Sequence, residues 1–136
     1  MFTNQINRRA KQRLGSAYLG AWPLNRVPIA QFNHRKLQHF IINTQTSNLP
    51  GQHWIAVSIH QRRAYIFDSF GQPPPRLLIK ALRHGGITQR GGIYYNTQQV
   101  QTYGTKNCGE LALRHLFNMH LRGGIGGLSR WKTLIH

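Results

Sequence analysis

The stretch His53-Trp54-Ile55-Ala56-Val57-Ser58-Ile59-His60-Gln61-Arg62-Arg63-Ala64-Tyr65-Ile66-Phe67-Asp68 holds two runs of β-forming residues with a short polar turn between them. The runs His53–Ile59 and Ala64–Asp68 predict two paired strands. Apolar residues fall on both faces of each, which predicts a central pair covered on both sides. A loop centred near His60 and Gln61 would set residues 53 and 68 opposite one another. Directly opposed positions on one face of a sheet hold their Cβ atoms about 5 Å apart. A carboxylate at that distance can hold an imidazole in one orientation, which is what a general base needs. Two readings of the pair stay open at this point: an oriented base, or an ion pair at a sheet edge with no chemical duty.

Working outward, His39-Phe40-Ile41-Ile42-Asn43 predicts another strand. Upstream, Thr3 or Asn4 caps a predicted helix that runs to Leu14 and stops at Gly15. Tyr18–Pro23 reads as a loop with buried aromatics, and a short helix is expected around Asn33–Leu37. Downstream, Pro73-Pro74-Pro75 ends the sheet region. Arg76–His84 then predicts a helix with Leu77, Leu78, Ala81 and Leu82 turned inward. The pairs Gly85-Gly86 and Gly91-Gly92 bracket a loop, and Ile93–Tyr95 and Gln98–Gln101 read as short strands. The strongest helical period spans Cys108–Leu121, through Leu111, Ala112, Leu116, Phe117 and Met119, with Gly123-Gly124 as its stop.

The scarcity of certain residue types narrows the chemistry. The chain has one cysteine, Cys108, and two acidic residues, one of which is Asp68 and the other Glu110. Cys108 lies in Lys106-Asn107-Cys108-Gly109-Glu110, where a loop gives way to the long helix. A helix N-terminus favours the thiolate over the thiol, and its unpaired N–H groups can receive an oxyanion. Gly109 leaves room for a substrate backbone. A lone thiol is more often an inert core residue, but a helix-start position together with a His/Asp pair elsewhere favours a nucleophile. Glu110 reads as a helix-start carboxylate completing a cap.

The 136 residues amount to one domain, with 40% hydrophobic residues to build a core. The N-terminal stretch has no apolar segment of the secretory kind, and no run approaches the roughly 20 apolar residues of a membrane span, so the expectation is a protein without a membrane partner. A single cysteine excludes an internal disulfide, fits a reducing intracellular setting and, with dispersed histidines, gives no metal-ligand spacing. The charge is extreme: 18 Lys and Arg against two acidic residues, a formal +16. Such imbalance points to a polyanionic partner, DNA above all, contacted through its phosphates without base specificity. Arg8, Arg9, Lys11 and Arg13 on the first helix are the candidate contacts, beside the plainer reading of a solvated basic face.

Several segments together resemble the adenain family, the adenovirus maturation cysteine proteases, and the related proteases of Polinton/Maverick elements and adintoviruses. They are Tyr18-Leu19-Gly20, Ile41-Ile42-Asn43-Thr44, Gly51-Gln52-His53-Trp54-Ile55-Ala56, Tyr65-Ile66-Phe67-Asp68-Ser69-Phe70-Gly71 and Val100-Gln101 through Cys108-Gly109. The likeness covers about residues 15–122. It implies a papain-like α+β fold: a central mixed β-sheet flanked by helices, with the nucleophile at the N-terminus of a central helix. It further implies Cys108 as nucleophile, His53 as base and acid, Asp68 as orienter, Gln101 as oxyanion donor and Trp54 beside the imidazole. The implied activity is a monomeric cysteine endopeptidase that cleaves after glycine in capsid and core precursors in the virion and nucleus. No chemical cofactor is implied, and DNA is the expected activator. Relatives also remove ubiquitin-like tags ending in Gly-Gly. A non-catalytic nucleic-acid-binding protein on the same scaffold is the competing reading.

Two features depart from the family pattern. Adenain is activated by a peptide joined through a second cysteine, which this chain lacks; peptide activation is therefore either noncovalent or absent. The family carboxylate is Glu, and Asp68 shortens the reach to the imidazole. Leu121–Ile125 resembles a family cleavage sequence, which raises self-processing after Gly124 beside the plainer helix stop.

Overall fold

The computed structural model describes residues 3–44, 53–87, 91–100, 108–122 and 131–134. Three α-helices and six strands follow in the order α1 (Thr3–Leu14), β1 (Tyr18–Pro23), β2 (Gln38–Asn43), β3 (Trp54–His60), β4 (Arg63–Phe67), α2 (Arg76–His84), β5 (Ile93–Tyr95), α3 (Cys108–Leu121) and β6 (Lys132–Leu134). The strands form one sheet in sequential order, β1 to β6. The pairs β1–β2 and β4–β5 are parallel and the other three are antiparallel, so the sheet is mixed. The parallel β4–β5 pair needs a crossover, and α2 supplies it.

Alternation along β3 sorts its side chains onto two faces. Trp54 and Ala56 join Ile41 in a core beneath α1 and α3, where Ile6, Ala10, Leu113 and Leu116 complete it. Ile55, Val57 and Ile59 point the other way, into a second core with Phe40, Leu78 and Leu82. Every residue from Trp54 to Ile59 is buried, as its apolar run on both faces predicts. Each large side chain sealed in this way contributes about 1.5–3 kcal/mol relative to exposure.

The β3–β4 hairpin turns on Gln61 and Arg62, with φ of 53° and 61°, the left-handed pair of a two-residue primed turn. His60 therefore pairs with Arg63 and Ala56 with Phe67. This register is two residues away from the expected one: carried past the strand ends, it sets 53 against 70 instead of 68. Gln-Arg lacks the glycine or asparagine that normally marks such a turn, so no residue type betrays its centre.

Other expectations are corrected. Tyr18–Pro23 is a strand at the sheet edge, not a loop. The residues around Asn33–Leu37 form a turn, with the Asn33 side chain accepting from the Arg35 N–H at 3.1 Å, and the nearby helical turn is instead Ile29–Gln31. Leu77 is 54% exposed, whereas Leu78 and Leu82 are fully buried. Residues 98–100 form no strand, and β6 was not foreseen. The Gly123-Gly124 stop, and with it the self-processing sequence, lies outside the described residues.

Candidate active site

The candidate residues gather at one end of the sheet, where β3 begins and β4 and β5 end. His53 immediately precedes β3, and its carbonyl accepts from the Thr44 N–H at 2.8 Å. Asp68 immediately follows β4, in a turn closed by the Gly71 N–H donating to the Asp68 carbonyl at 2.9 Å. Gly71 takes φ +68°, and a Cβ there would stand 2.7 Å from the Thr97 carbonyl. Only glycine lets this turn lie so close to the 97–99 backbone. The Val100 N–H bonds the Ser69 carbonyl at 2.8 Å, tying the same turn to the segment that leads into Gln101. Gln101 itself lies outside the described residues.

The His53 Nε2–H donates to Asp68 Oδ1 at 2.8 Å, and both residues are buried. Asp68 Oδ1 also accepts from the Phe70 N–H at 2.9 Å. The Phe70 ring lies against the imidazole, with centroids 4.7 Å apart. Residue 70 is where the hairpin register, carried past the end of β4, falls opposite residue 53. The buried Nδ1 of His53 has no hydrogen bond of full geometry among the described residues. With Nε2 engaged by Asp68, Nδ1 is the nitrogen left for Cys108, whose thiol influences the ring and is influenced by it.

Cys108 opens α3, and α3 packs on β3. Burial pushes the Cys108 thiol up, but the bond to His53 and the main-chain bonds from Trp54 and Gly109 outweigh it, and the thiol sits below its ordinary range. Burial likewise pulls His53 down, and its bonds to Asp68 and Cys108 raise it instead to about 9. Each group thus favours the charged form of the other, a thiolate beside an imidazolium. The Trp54 side chain belongs to the core that includes Cys108 and Ala112. Its main-chain bond to the thiol is a role that the sequence did not suggest.

Glu110, in the first turn of α3, reaches across to Arg9 on α1, and the residues ahead of Cys108 that would form the expected cap lie outside the described ones. Arg8, Lys11 and Arg13 are exposed on α1, with the Arg13 guanidinium 4.9 Å from the Phe117 ring centroid. A cleft of about 350 Å³ between α1 and α3 is lined by Arg9, Arg13, Arg114 and Glu110, among others. Among the described residues no group of three His, Cys, Asp or Glu side chains could hold a metal ion. No described helix is long and apolar enough to cross a membrane.

Phe70 stands in the Phe67–Gly71 motif with no task legible from the sequence, and nothing in the sequence marks Asn96. Asn96 is 5% exposed and bonds the main chain of Asp68 on both sides. In the sequence it is simply the first of four polar residues, Asn96 to Gln99, after a short strand.

A mixed sheet between helices, with a cysteine at a helix tip facing a His–Asp pair, defines an α+β fold of the papain-like class. Among solved structures the chain is similar in fold to the ASFV pS273R protease, with a TM-score of 0.56 and 14% identity over 91% of this chain and 58% of that one. The chain thus spans 58% of that protease's length. No protein-family model matches the chain, and no curated protein does.

Proposed function

We propose that the chain is a cysteine endopeptidase, with Cys108 as nucleophile, His53 as acid and base, and Asp68 as the orienting carboxylate. The observation that carries this reading is the 2.8 Å bond from His53 Nε2 to Asp68 Oδ1, with the thiol of Cys108 held low beside the same ring. The likeness in fold to a protease supports it. The Cys108 thiolate attacks a peptide carbonyl carbon, and the carbonyl electrons move onto oxygen. Main-chain N–H groups at the start of α3, with the Gln101 amide, stabilise that oxyanion. The His53 imidazolium gives its proton to the departing amine as the C–N bond breaks, leaving a thioester on Cys108. Neutral His53 then takes a proton from water, which attacks the thioester; the acid product leaves and the thiolate is restored.

The substrates we propose are glycine-containing sites in capsid and core precursor proteins of a virus, as the adenain-like motifs suggest. The +16 charge and the exposed Arg8, Lys11 and Arg13 support DNA as a bound activator. One comparison tests both parts. Cys108→Ala is expected to abolish cleavage of Gly-Gly and Gly-X peptides while keeping the DNA affinity of the wild type. That affinity should fall about 10³-fold or more between 50 and 200 mM salt for roughly six phosphate contacts. Cleavage by the variant at the wild-type rate would remove the nucleophile, and a flat salt response would remove DNA.

A further inference from the structure

We propose that Asn96 is a positioning residue for the His53–Asp68 pair, acting through the main chain of Asp68. The inference rests on the cysteine-peptidase reading for its consequence, and on the following geometry for its content. The parallel ladder between β4 and β5 has its last registered pair at Ile66 and Tyr95. Asp68 lies beyond it, at the point where no strand partner remains to hold its peptide groups. Asn96 follows β5, and its own N–H reaches back to the Ile66 carbonyl at 3.4 Å.

A carboxamide side chain carries the same donor and acceptor as a peptide group. Asn96 uses both on one residue: Oδ1 accepts from the Asp68 N–H at 2.8 Å, and Nδ2 donates to the Asp68 carbonyl at 2.7 Å. Nδ2 also donates to the Gln98 carbonyl at 3.3 Å, which ties the same amide to its own loop. The Asp68 N–H needs an acceptor, and the Asp68 carbonyl, which the Gly71 N–H also reaches, can only accept, so the orientation of the amide is fixed by its partners. The side chain thus extends the ladder past the end of the sheet and clamps the one backbone unit from which the Asp68 carboxylate hangs.

What hangs there is a short lever. Asp68 has two rotatable side-chain bonds, and its Oδ1 must serve the His53 Nε2–H and the Phe70 N–H together, at 2.8 and 2.9 Å. Catalytic groups must be held to within about 0.5 Å of the productive geometry, and side chains achieve this only when their supports are fixed. Asp68, Asn96 and Ser69 are all buried, so water does not readily replace the amide once it is removed. Loss of the clamp lets the carboxylate swing, weakens its hold on the imidazolium and, through it, the thiolate of Cys108. A residue that merely stapled two loops would change stability and leave that protonation balance alone.

The test reads the thiolate directly. Cys108 is the chain's one cysteine, so the rate of its alkylation by iodoacetamide can be followed against pH in the wild type, Asn96→Ala and Asn96→Ser. Circular dichroism melts identify which variants are folded. The alkylation midpoint of a folded variant should move up by about one pH unit, and kcat for peptide cleavage should fall about 10- to 100-fold with KM little changed. A folded variant whose alkylation profile overlays the wild type overturns the proposal. So does failure of both variants to fold, which would assign Asn96 to the fold alone. Alkylation does not depend on peptide cleavage: a shifted midpoint in a protein that cleaves no peptide would end the peptidase reading and leave the clamp standing.

Discussion

Burial and bonding pull the His53 ring in opposite directions. Burial disfavours its charge, whereas the bonds to Asp68 and Cys108 favour it, and the balance leaves the ring protonated up to about pH 9. The thiol moves the other way, to the low side of its ordinary value. If the ion pair is the working form, peptide cleavage rises as Cys108 ionises and falls as His53 loses its proton near pH 9. Asp68→Asn removes the charge that helps hold His53 up, so the basic limb of kcat/KM should move to lower pH and the maximum should drop by about 10²- to 10⁴-fold. An unchanged basic limb would show that Asp68 does not set the ring's protonation. The stability contribution has the matching sign. The folded value lies above the unfolded one of about 6.5, so the stabilisation is complete below that pH and is lost as pH rises through about 9.

Helix α2 shows how finely sequence period resolves a buried face. Leu77, Leu78, Ala81 and Leu82 all read as inward, yet only Leu78 and Leu82 are sealed and Leu77 is 54% exposed. Leu82→Ala should therefore lower unfolding stability by about 2–5 kcal/mol in denaturant titrations. Leu77→Lys should stay within about 0.5 kcal/mol of wild type; a large loss there would mean that the helix turns a different face to the sheet. The three helices and the β3–β4 pair were legible because each carries a long periodic run or a continuous apolar one. β1 was not. Gly20 and Pro23 argue against a strand, but Gly20 takes φ +111° where the pairing with β2 shifts register, and Pro23 sits on an edge strand that asks for no N–H there. β6, with three residues, is too short to show a period. The site divides in the same way. His53, Asp68 and Cys108 stood out by rarity and by position at element ends. Phe70 and Asn96 matter through a two-residue register and a side-chain-to-backbone match, and both arise only when distant segments meet.

Across the whole molecule, positive charge is almost unopposed. Both acidic residues are engaged, Glu110 by Arg9 and Asp68 by His53, and they stand against 18 Lys and Arg. Acid makes this worse through two histidine rings, one fully buried and one half-buried. His39 is fully buried on β2, with Ser58 Oγ at 2.7 Å and His120 Nδ1 at 3.2 Å, and burial and the nearby His120 and His115 lower it to about 3. His115 on α3 stacks between Phe67 and Trp131, with centroids at 4.7 and 5.2 Å, and burial lowers it to about 3 as well. These values lie below the unfolded 6.5, so the unfolded chain takes up protons first as pH falls. Stability should therefore be full above about pH 6.5 and decline below it, by roughly a kcal/mol per pH unit for each ring, until the folded rings protonate near pH 3. His115→Phe keeps an aromatic ring in the stack and removes one of the two titrations. Urea titrations from pH 7 to 4.5 should show the variant losing stability about half as steeply from this source as the wild type. Equal slopes would mean that the ring is already protonated in the folded state, and that α3 lies on the sheet less tightly than the stack of Phe67, His115 and Trp131 requires.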